Sequence, residues 1–241
     1  MSKINAVRLI NVNYNNNAYR ISDETLHFNG KSTLISLQNG GGKSVLVQML
    51  TAPFVHPKYR NTKDRLFESY FTTNKPSFIL VEWALDQGAG YVLTGLMVRK
   101  SQDMEEDRKE NLDIIGIVSE YQSPCIQDIY HLPVVEKGKK EMILKNFNSC
   151  RQLFETYKKD RDMKFFYYDL TNYAQSRQYF NKLMEYQINY KEWETIIKKI
   201  NLKESGLSDL FADCKDEKGL TEKWFLEAIE SKLNKDKNRI K

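Results

Sequence analysis

Short β-branched runs separated by turn residues dominate the first hundred positions. Ile4, Ala6, Val7, Leu9, Ile10 and Val12 predict a strand over 3–12, and the asparagine-rich stretch 11–17 then favours turns and left-handed backbone. A second strand is expected at 18–21 or at 24–28, closing on the Asn29-Gly30 turn signal, and a third at 32–37 through Leu34 and Ile35. Val45, Leu46, Val47, Met49 and Leu50 then mark a helix opened by Lys43, which should stop before Pro53 because proline lacks an N–H and restricts its predecessor. Apolar runs at 77–85 and 91–99 flank the glycine-bearing connection 86–90 and read as a hairpin. Further strands are expected at 113–121 and, briefly, at Val134 and Val135.

From residue 141 the period lengthens. Leu153, Phe154 and Tyr157 predict a helix over 149–159; Tyr179, Phe180, Leu183, Met184 and Tyr186 a second; Trp193, Ile196, Ile197 and Ile200 a third. The aromatic run 165–170 reads as a strand between the first two. Thr221 caps a last helix bearing Trp224, Phe225, Ala228, Ile229 and Leu233. The acidic stretch 101–113 has the composition of an exposed loop, and 203–211 reads as a loop leading into a short apolar turn. The expected organisation is a lobe over 1–140 and a helical part over 141–241.

Composition narrows this picture. With 241 residues, 41% of them hydrophobic, the chain can bury a real core. No apolar run reaches the ~20 residues of a membrane-spanning helix and the N-terminus lacks a signal-peptide pattern, so a cytoplasmic protein without a membrane partner is expected. Cys125, Cys150 and Cys214 are odd in number and widely spaced, which suggests neither disulfides nor zinc. His27, His56 and His131 stand far apart, with no carboxylate or cysteine read at ligand spacing. The formal charge of +5 permits a local nucleic-acid patch without arguing for one, the candidate being Lys58, Arg60, Lys63 and Arg65.

The chemistry concentrates at Gln38-Asn39-Gly40-Gly41-Gly42-Lys43-Ser44, placed between an apolar run and a helix. Three glycines let the backbone turn tightly and aim N–H groups inward, and the helix that follows presents its positive end to the same point. Lys43 would reach the β- and γ-phosphates of a nucleotide and the Ser44 hydroxyl would ligate Mg²⁺. The candidate cofactor-binding residues are Asn39, Gly40, Gly41, Gly42, Lys43, Ser44 and Val45, with ATP and Mg²⁺ as cofactors and Ser44 as the metal ligand.

On the generic P-loop pattern a glycine belongs where Leu37 stands, but QNGGGKS closely resembles the loop of the SMC, SbcC and MukB-like ATPases, the coiled-coil branch of the ABC ATPases. The resemblance covers about the first hundred residues. It implies an α/β P-loop NTPase of the ABC/SMC head type, with an antiparallel β-subdomain and a helical C-terminal part leading towards a coiled-coil arm. It also implies the partners of such a lobe: the C-terminal half of the same head, a second head in a dimer, DNA, and kleisin-type subunits. The function implied is ATP-driven head engagement on DNA in chromosome organisation, repair or defence. The family's basic residue in the first turn is replaced here by Asn13, Tyr14 and Asn15, with Arg8 and Arg20 nearby.

A working ATPase also needs an acidic strand end and a signature loop, since phosphoryl transfer is mostly positioning and charge compensation. No apolar run ending in Asp-Glu follows the loop; Ile79-Leu80-Val81-Glu82 comes nearest, and Glu82 is read as an outward-facing strand residue. In SMC-like ATPases both parts lie on the C-terminal half, so the chain is expected to bind nucleotide and to hydrolyse it poorly alone. Gln122, Gln175, Gln187 and the segment 201–211 all remain candidates for the glutamine that would touch Mg²⁺. Two alternatives stand beside this reading. One is a self-contained P-loop NTPase or kinase using Asp86, Asp113 or Asp169, and the other is a non-catalytic interaction module with a decayed loop.

Overall fold

The structure, a computed structural model, describes residues 2–14, 18–36, 38, 42–62, 65–101, 111–138 and 142–201. Two strands open the chain, β1 (Lys3–Tyr14) and β2 (Tyr19–His27), followed by helix α1 (Lys43–Thr51) and single 3₁₀ turns at Ala52–Phe54, Pro57–Tyr59 and Phe67–Tyr70. Then come β3 (Ser77–Ala84), β4 (Tyr91–Lys100), β5 (Leu112–Tyr121), the small pair β6 (Val135–Lys137) and β7 (Met142–Leu144), α2 (Phe147–Lys159), β8 (Lys164–Asp169), α3 (Tyr173–Glu185) and α4 (Tyr190–Asn201). The chain divides into two compact units, Met1–Thr195 and Ile196–Lys241, and of the second only the C-terminal end of α4 is described.

Six strands form one sheet in the order β2-β1-β3-β4-β5-β8, and each neighbouring pair is antiparallel. This overturns the expected α/β P-loop architecture: the fold is α+β, with helices packed on an antiparallel sheet. The physical reason lies in the third expected strand. Residues 32–36 form no strand and take no place in the sheet, contrary to the expectation for 32–37, of which Leu37 lies outside the described residues. β1 already exchanges hydrogen bonds with β2 on one side and β3 on the other. A strand, loop and helix in sequence produce a parallel sheet only if that strand takes a place in it, and here it does not.

Alternation along the central strands buries both faces of the sheet. In β3, Ile79, Val81 and Trp83 join Val45, Met49, Phe54, Tyr179 and Phe180 under α1 and α3. Phe78 and Leu80 point the other way, to Phe147, Cys150, Phe154 and Phe165 beneath α2 and β8. Trp83 can be buried because its indole N–H donates to Thr94 Oγ1 at 3.0 Å. Asn11 adopts left-handed backbone, φ 56°, but inside β1 rather than after it. Its side-chain amide donates to the Pro76 carbonyl at 3.1 Å. Gly116 lets α3 approach β5, since a Cβ there would stand 2.7 Å from the Tyr179 ring.

A buried polar network fixes the middle of α1. Gln48 Nε2 donates to the Arg60 carbonyl at 2.6 Å and its Oε1 accepts from the Tyr70 hydroxyl at 2.7 Å. Arg60 Nε donates to the Ala52 carbonyl at 3.1 Å, and the Tyr179 hydroxyl to the Pro53 carbonyl at 3.0 Å. Burial pushes the Tyr70 hydroxyl above its ordinary range, with Arg65 opposing, so it stays a donor to Gln48. Replacing Gln48 with alanine strips partners from two buried groups, each worth about 1–3 kcal/mol. The expected outcome for Gln48→Ala is a loss of about 2 kcal/mol or more in urea unfolding; an unchanged midpoint would contradict the network.

Candidate phosphate-binding site

The C-terminal end of β1 meets the start of α1. Gly42 sits at φ 85° and ψ 17°, and the Leu46 N–H donates to the Gly42 carbonyl at 2.8 Å, closing the first turn of α1 on that residue. A Cβ at Gly42 would lie 3.5 Å from Tyr14 Cε2, an ordinary contact, so the left-handed backbone rather than crowding is what favours glycine. Tyr14 stacks in turn on Tyr19, with ring centroids 5.3 Å apart and planes 22° from parallel. The paired strands β1 and β2 thus prop the turn with two aromatic rings.

Among the described residues no side chain caps the N-terminus of α1, and its first turn carries no acidic residue. Helix geometry leaves the leading N–H groups without intrahelical acceptors and places the positive end of the dipole there. Lys43 and Ser44 are exposed at this end, while the Val45 side chain is buried in the core under the sheet. The structure therefore brings Gly42, Lys43 and Ser44 together. It leaves Val45 only its backbone N–H for a ligand, its side chain serving to seat the helix. Asn39, Gly40 and Gly41 lie outside the described residues.

Backbone that must be left-handed at Gly42, exposed Lys43 and an uncapped helix start suit an anion. One hard hydroxyl oxygen, Ser44 Oγ, suits Mg²⁺, an ion that keeps most of its waters and takes few protein ligands. The donor set present therefore fits a Mg²⁺-bound polyphosphate.

The sheet register places the acidic candidates far from this end. Glu82 pairs with Ala6, eight residues back along β1 from Tyr14, a separation of roughly 26 Å at about 3.3 Å per residue. It is not an outward-facing residue either: 3% exposed, it accepts from the Tyr121 hydroxyl and, at 2.6 Å, from Asn5 Nδ2. Burial first, and the Glu82 carboxylate second, push the Tyr121 hydroxyl far above its usual range, so it remains a donor. Alternation on β3 sends Glu82 to the face opposite Trp83, which sequence alone could not assign. Asp113 is held by Arg99 at 2.8 Å and stands three strands from β1, about 14 Å away at ~4.8 Å per strand. Asp169 is four strands away, about 19 Å, and accepts from Thr171 Oγ1 at 2.6 Å. Asp86 follows the end of β3 that pairs with Lys3, at the opposite edge of the molecule from Tyr14.

Other candidates resolve into structural parts. Arg8 is buried, donates from Nε and Nη2 to both Asp23 carboxylate oxygens at 2.7 and 2.6 Å, and donates from Nη1 to the Ile129 carbonyl at 2.9 Å. Arg20 is exposed on β2 opposite Asn13. Of the basic residues in 58–65, Arg60 is buried with its guanidinium over the Phe67 ring, and Lys63 lies outside the described residues. Gln175 Oε1 accepts from the Asp169 N–H at 2.9 Å, Gln187 forms a left-handed turn after α3, and Gln122 follows β5 at the end of the sheet remote from Tyr14. Residues 202–211, the predicted helix over 220–233 and Cys214 lie outside the described residues.

His131 does have a carboxylate three residues away, contrary to expectation. Asp128 accepts from its ring at 2.7 Å and from the N–H groups of Cys125, Tyr130 and His131. Burial raises the Asp128 carboxyl, but these hydrogen bonds outweigh it and hold it below its usual value, as befits a turn anchor. Among the described residues no three metal-ligating side chains gather, and no helix is long and apolar enough to cross a membrane.

One cleft of about 630 Å³ opens between the start of β1, the 28–33 loop and α1, lined by Lys3, Lys31, Leu50, Trp83 and Trp193. It lies at the other end of α1 from Lys43, against Leu50.

No family model matches the sequence, and no curated protein matches it significantly.

Gly42→Ala should cost about 1–2 kcal/mol in urea unfolding, because a side chain in left-handed backbone is strained even where space exists. Unchanged stability would mean that the turn relaxes out of that conformation.

Proposed function

We propose that the chain binds ATP with Mg²⁺ through the glycine-rich segment that ends in Gly42 and the first turn of α1, as one lobe of an SMC-like ATPase that further polypeptide completes. The observation that carries this reading is the start of α1, directly after a left-handed glycine, with no acidic residue in its first turn, no side-chain cap among the described residues, and Lys43 and Ser44 exposed. Backbone N–H groups and the helix dipole hold phosphate oxygens, and Lys43 adds a compact positive charge against the terminal phosphates. Ser44 would ligate the Mg²⁺, which when bound neutralises phosphate charge. The resemblance of QNGGGKS to the SMC and SbcC loop narrows polyphosphate to ATP, and it supports DNA and a second head as partners. The antiparallel sheet is then the rigid body that carries the cradle.

The positions of the acids favour a lobe over a self-contained NTPase. Glu82, Asp86, Asp113 and Asp169 all stand a strand length or several strands from Tyr14 and Gly42. A carboxylate that activates the attacking water must reach the terminal phosphate, so on this reading a second polypeptide segment supplies it. Turnover by this chain alone is then slow and binding is its measurable activity.

Binding to the folded state raises stability by about 2.7 kcal/mol at a hundredfold excess over Kd, roughly 5 to 10 °C for a chain of this size. Mg²⁺-ATP at that excess should shift the melting temperature accordingly. Lys43→Ala, at an exposed position, should lose the shift relative to its own unliganded melting temperature. An equal shift in both proteins, or none in the wild type, would overturn the proposal.

A further inference from the structure

The cleft of about 630 Å³ at the C-terminal end of α1 has the size of a small-molecule site, about 300–1,000 Å³, and its walls are fixed by contacts of their own. One wall is tied to β1: the Phe28 and Asn29 N–H groups donate to the Asn5 carbonyl at 2.8 and 2.9 Å, and the Gly30 N–H donates to the Ile4 carbonyl at 3.1 Å. Another wall is Trp193, which meets the buried Trp83 edge to face with ring centroids 6.2 Å apart. The helix that carries it, α4, is held to the segment after α1 by Glu194, whose carboxylate accepts from the His56 N–H at 3.0 Å. Trp83 belongs to the core under α1, and Phe28, Leu50 and Trp193 pack against that core, so the floor of the cleft is apolar and largely aromatic.

Its charge is of one sign. Lys3 and Lys31 are exposed side chains on the lining, and no carboxylate lines the cleft. A Cβ at Gly30 would stand 3.6 Å from Lys3 Cβ and 3.7 Å from Lys3 Cδ, so the Lys3 stem runs along the residue next to Lys31. Neither lysine is in an ion pair among the described residues. The acids beside Trp193 are turned elsewhere: Glu192 accepts from Asn189 Nδ2 at 2.9 Å, and Glu194 from His56. Two neighbouring cations over an apolar floor repel each other and draw an anion, and low-dielectric walls strengthen that field.

We infer that this cleft binds a small planar aromatic anion, with its ring against the Trp193 and Phe28 side and its charged group between Lys3 and Lys31. A cation is refused by the two ammonium groups, and an aliphatic anion leaves the aromatic floor without a partner. The site lies at the other end of α1 from Lys43 and uses none of the glycine turn, so this inference and the nucleotide reading can fail independently.

The test titrates the full chain with naphthoate, with the neutral naphthalenemethanol and with acetate, by calorimetry and by the indole N–H signals of a tryptophan-labelled chain. Naphthoate should bind one to one, roughly tenfold or more tighter than the alcohol, and weaken as salt is raised; acetate should not bind. The Trp193 and Trp83 signals should move along the naphthoate isotherm. Lys3→Gln with Lys31→Gln, both at exposed positions, should cost naphthoate about tenfold and leave the alcohol's affinity unchanged, which separates lost charge from a damaged fold. Lys43→Ala should bind naphthoate as the wild type does. Equal affinity for naphthoate and the alcohol, wild-type affinity in the double lysine variant, or indole signals of Trp83 and Trp193 that stay in place at saturation would each overturn the inference. So would uptake of several molecules without saturation, the mark of an adventitious additive only.

Discussion

β1 is hydrogen-bonded along both of its edges, and most of the molecule follows from that. Its partners β2 and β3 run antiparallel to it, β3 leads by hairpin into β4, and β5 and β8 continue the series. With every edge of β1 occupied, the apolar segment 32–36 has no place beside it and remains outside, exposed. A chain whose order of elements suggests a parallel sheet is in this way antiparallel throughout its six strands. Helices α1 and α3, with Tyr190 and Trp193 at the start of α4, on one face and α2 on the other then close two cores over a sheet buried on both sides.

The same arrangement gives the candidate site its combination of a fixed seat and an open mouth. On its inner side α1 is held by Val45 and Met49 in the core and by Gln48 in a network of buried carbonyls and hydroxyls. Its leading end lies beside Tyr14, and its first turn carries no acidic residue to compete for the leading backbone donors. Recognition of a charged group depends on donors that are oriented before the ligand arrives, and a helix clamped along its length supplies that orientation. Among the described residues, Asp23 is held by Arg8, Asp113 by Arg99, Asp128 by a turn and Glu82 by Tyr121.

Most elements were legible in the sequence because their periods are clean. The hairpin β3–β4, β5, the proline-limited end of α1 and the helices with aromatic stripes all form near their expected bounds. Pairing beyond that hairpin was not legible, since alternation reveals that a strand is half-buried or buried but not which neighbour it takes. Glu82 shows the same limit on a smaller scale: its strand was evident, its face was not. The tandem Gly42-Lys43-Ser44 announced itself, whereas the ring of Tyr14 against Gly42 came from a contact twenty-eight positions apart in the chain that no local pattern encodes. Gln48 did leave a trace, a polar residue three positions after Val45 on the apolar stripe of α1, where an amide survives only if satisfied.

The central claim is that backbone donors at the start of α1, together with Lys43, grip a polyphosphate. Amide chemical shifts of an isotopically labelled chain titrated with Mg²⁺-ATP and, separately, with inorganic tripolyphosphate test it at the level of single N–H groups. The account predicts that the amides of Gly42, Lys43, Ser44 and Val45 move most in both titrations, while those around Glu82 and Asp128 stay in place. Shifts centred elsewhere, or none at Gly42 to Val45 under saturating ligand, would contradict it.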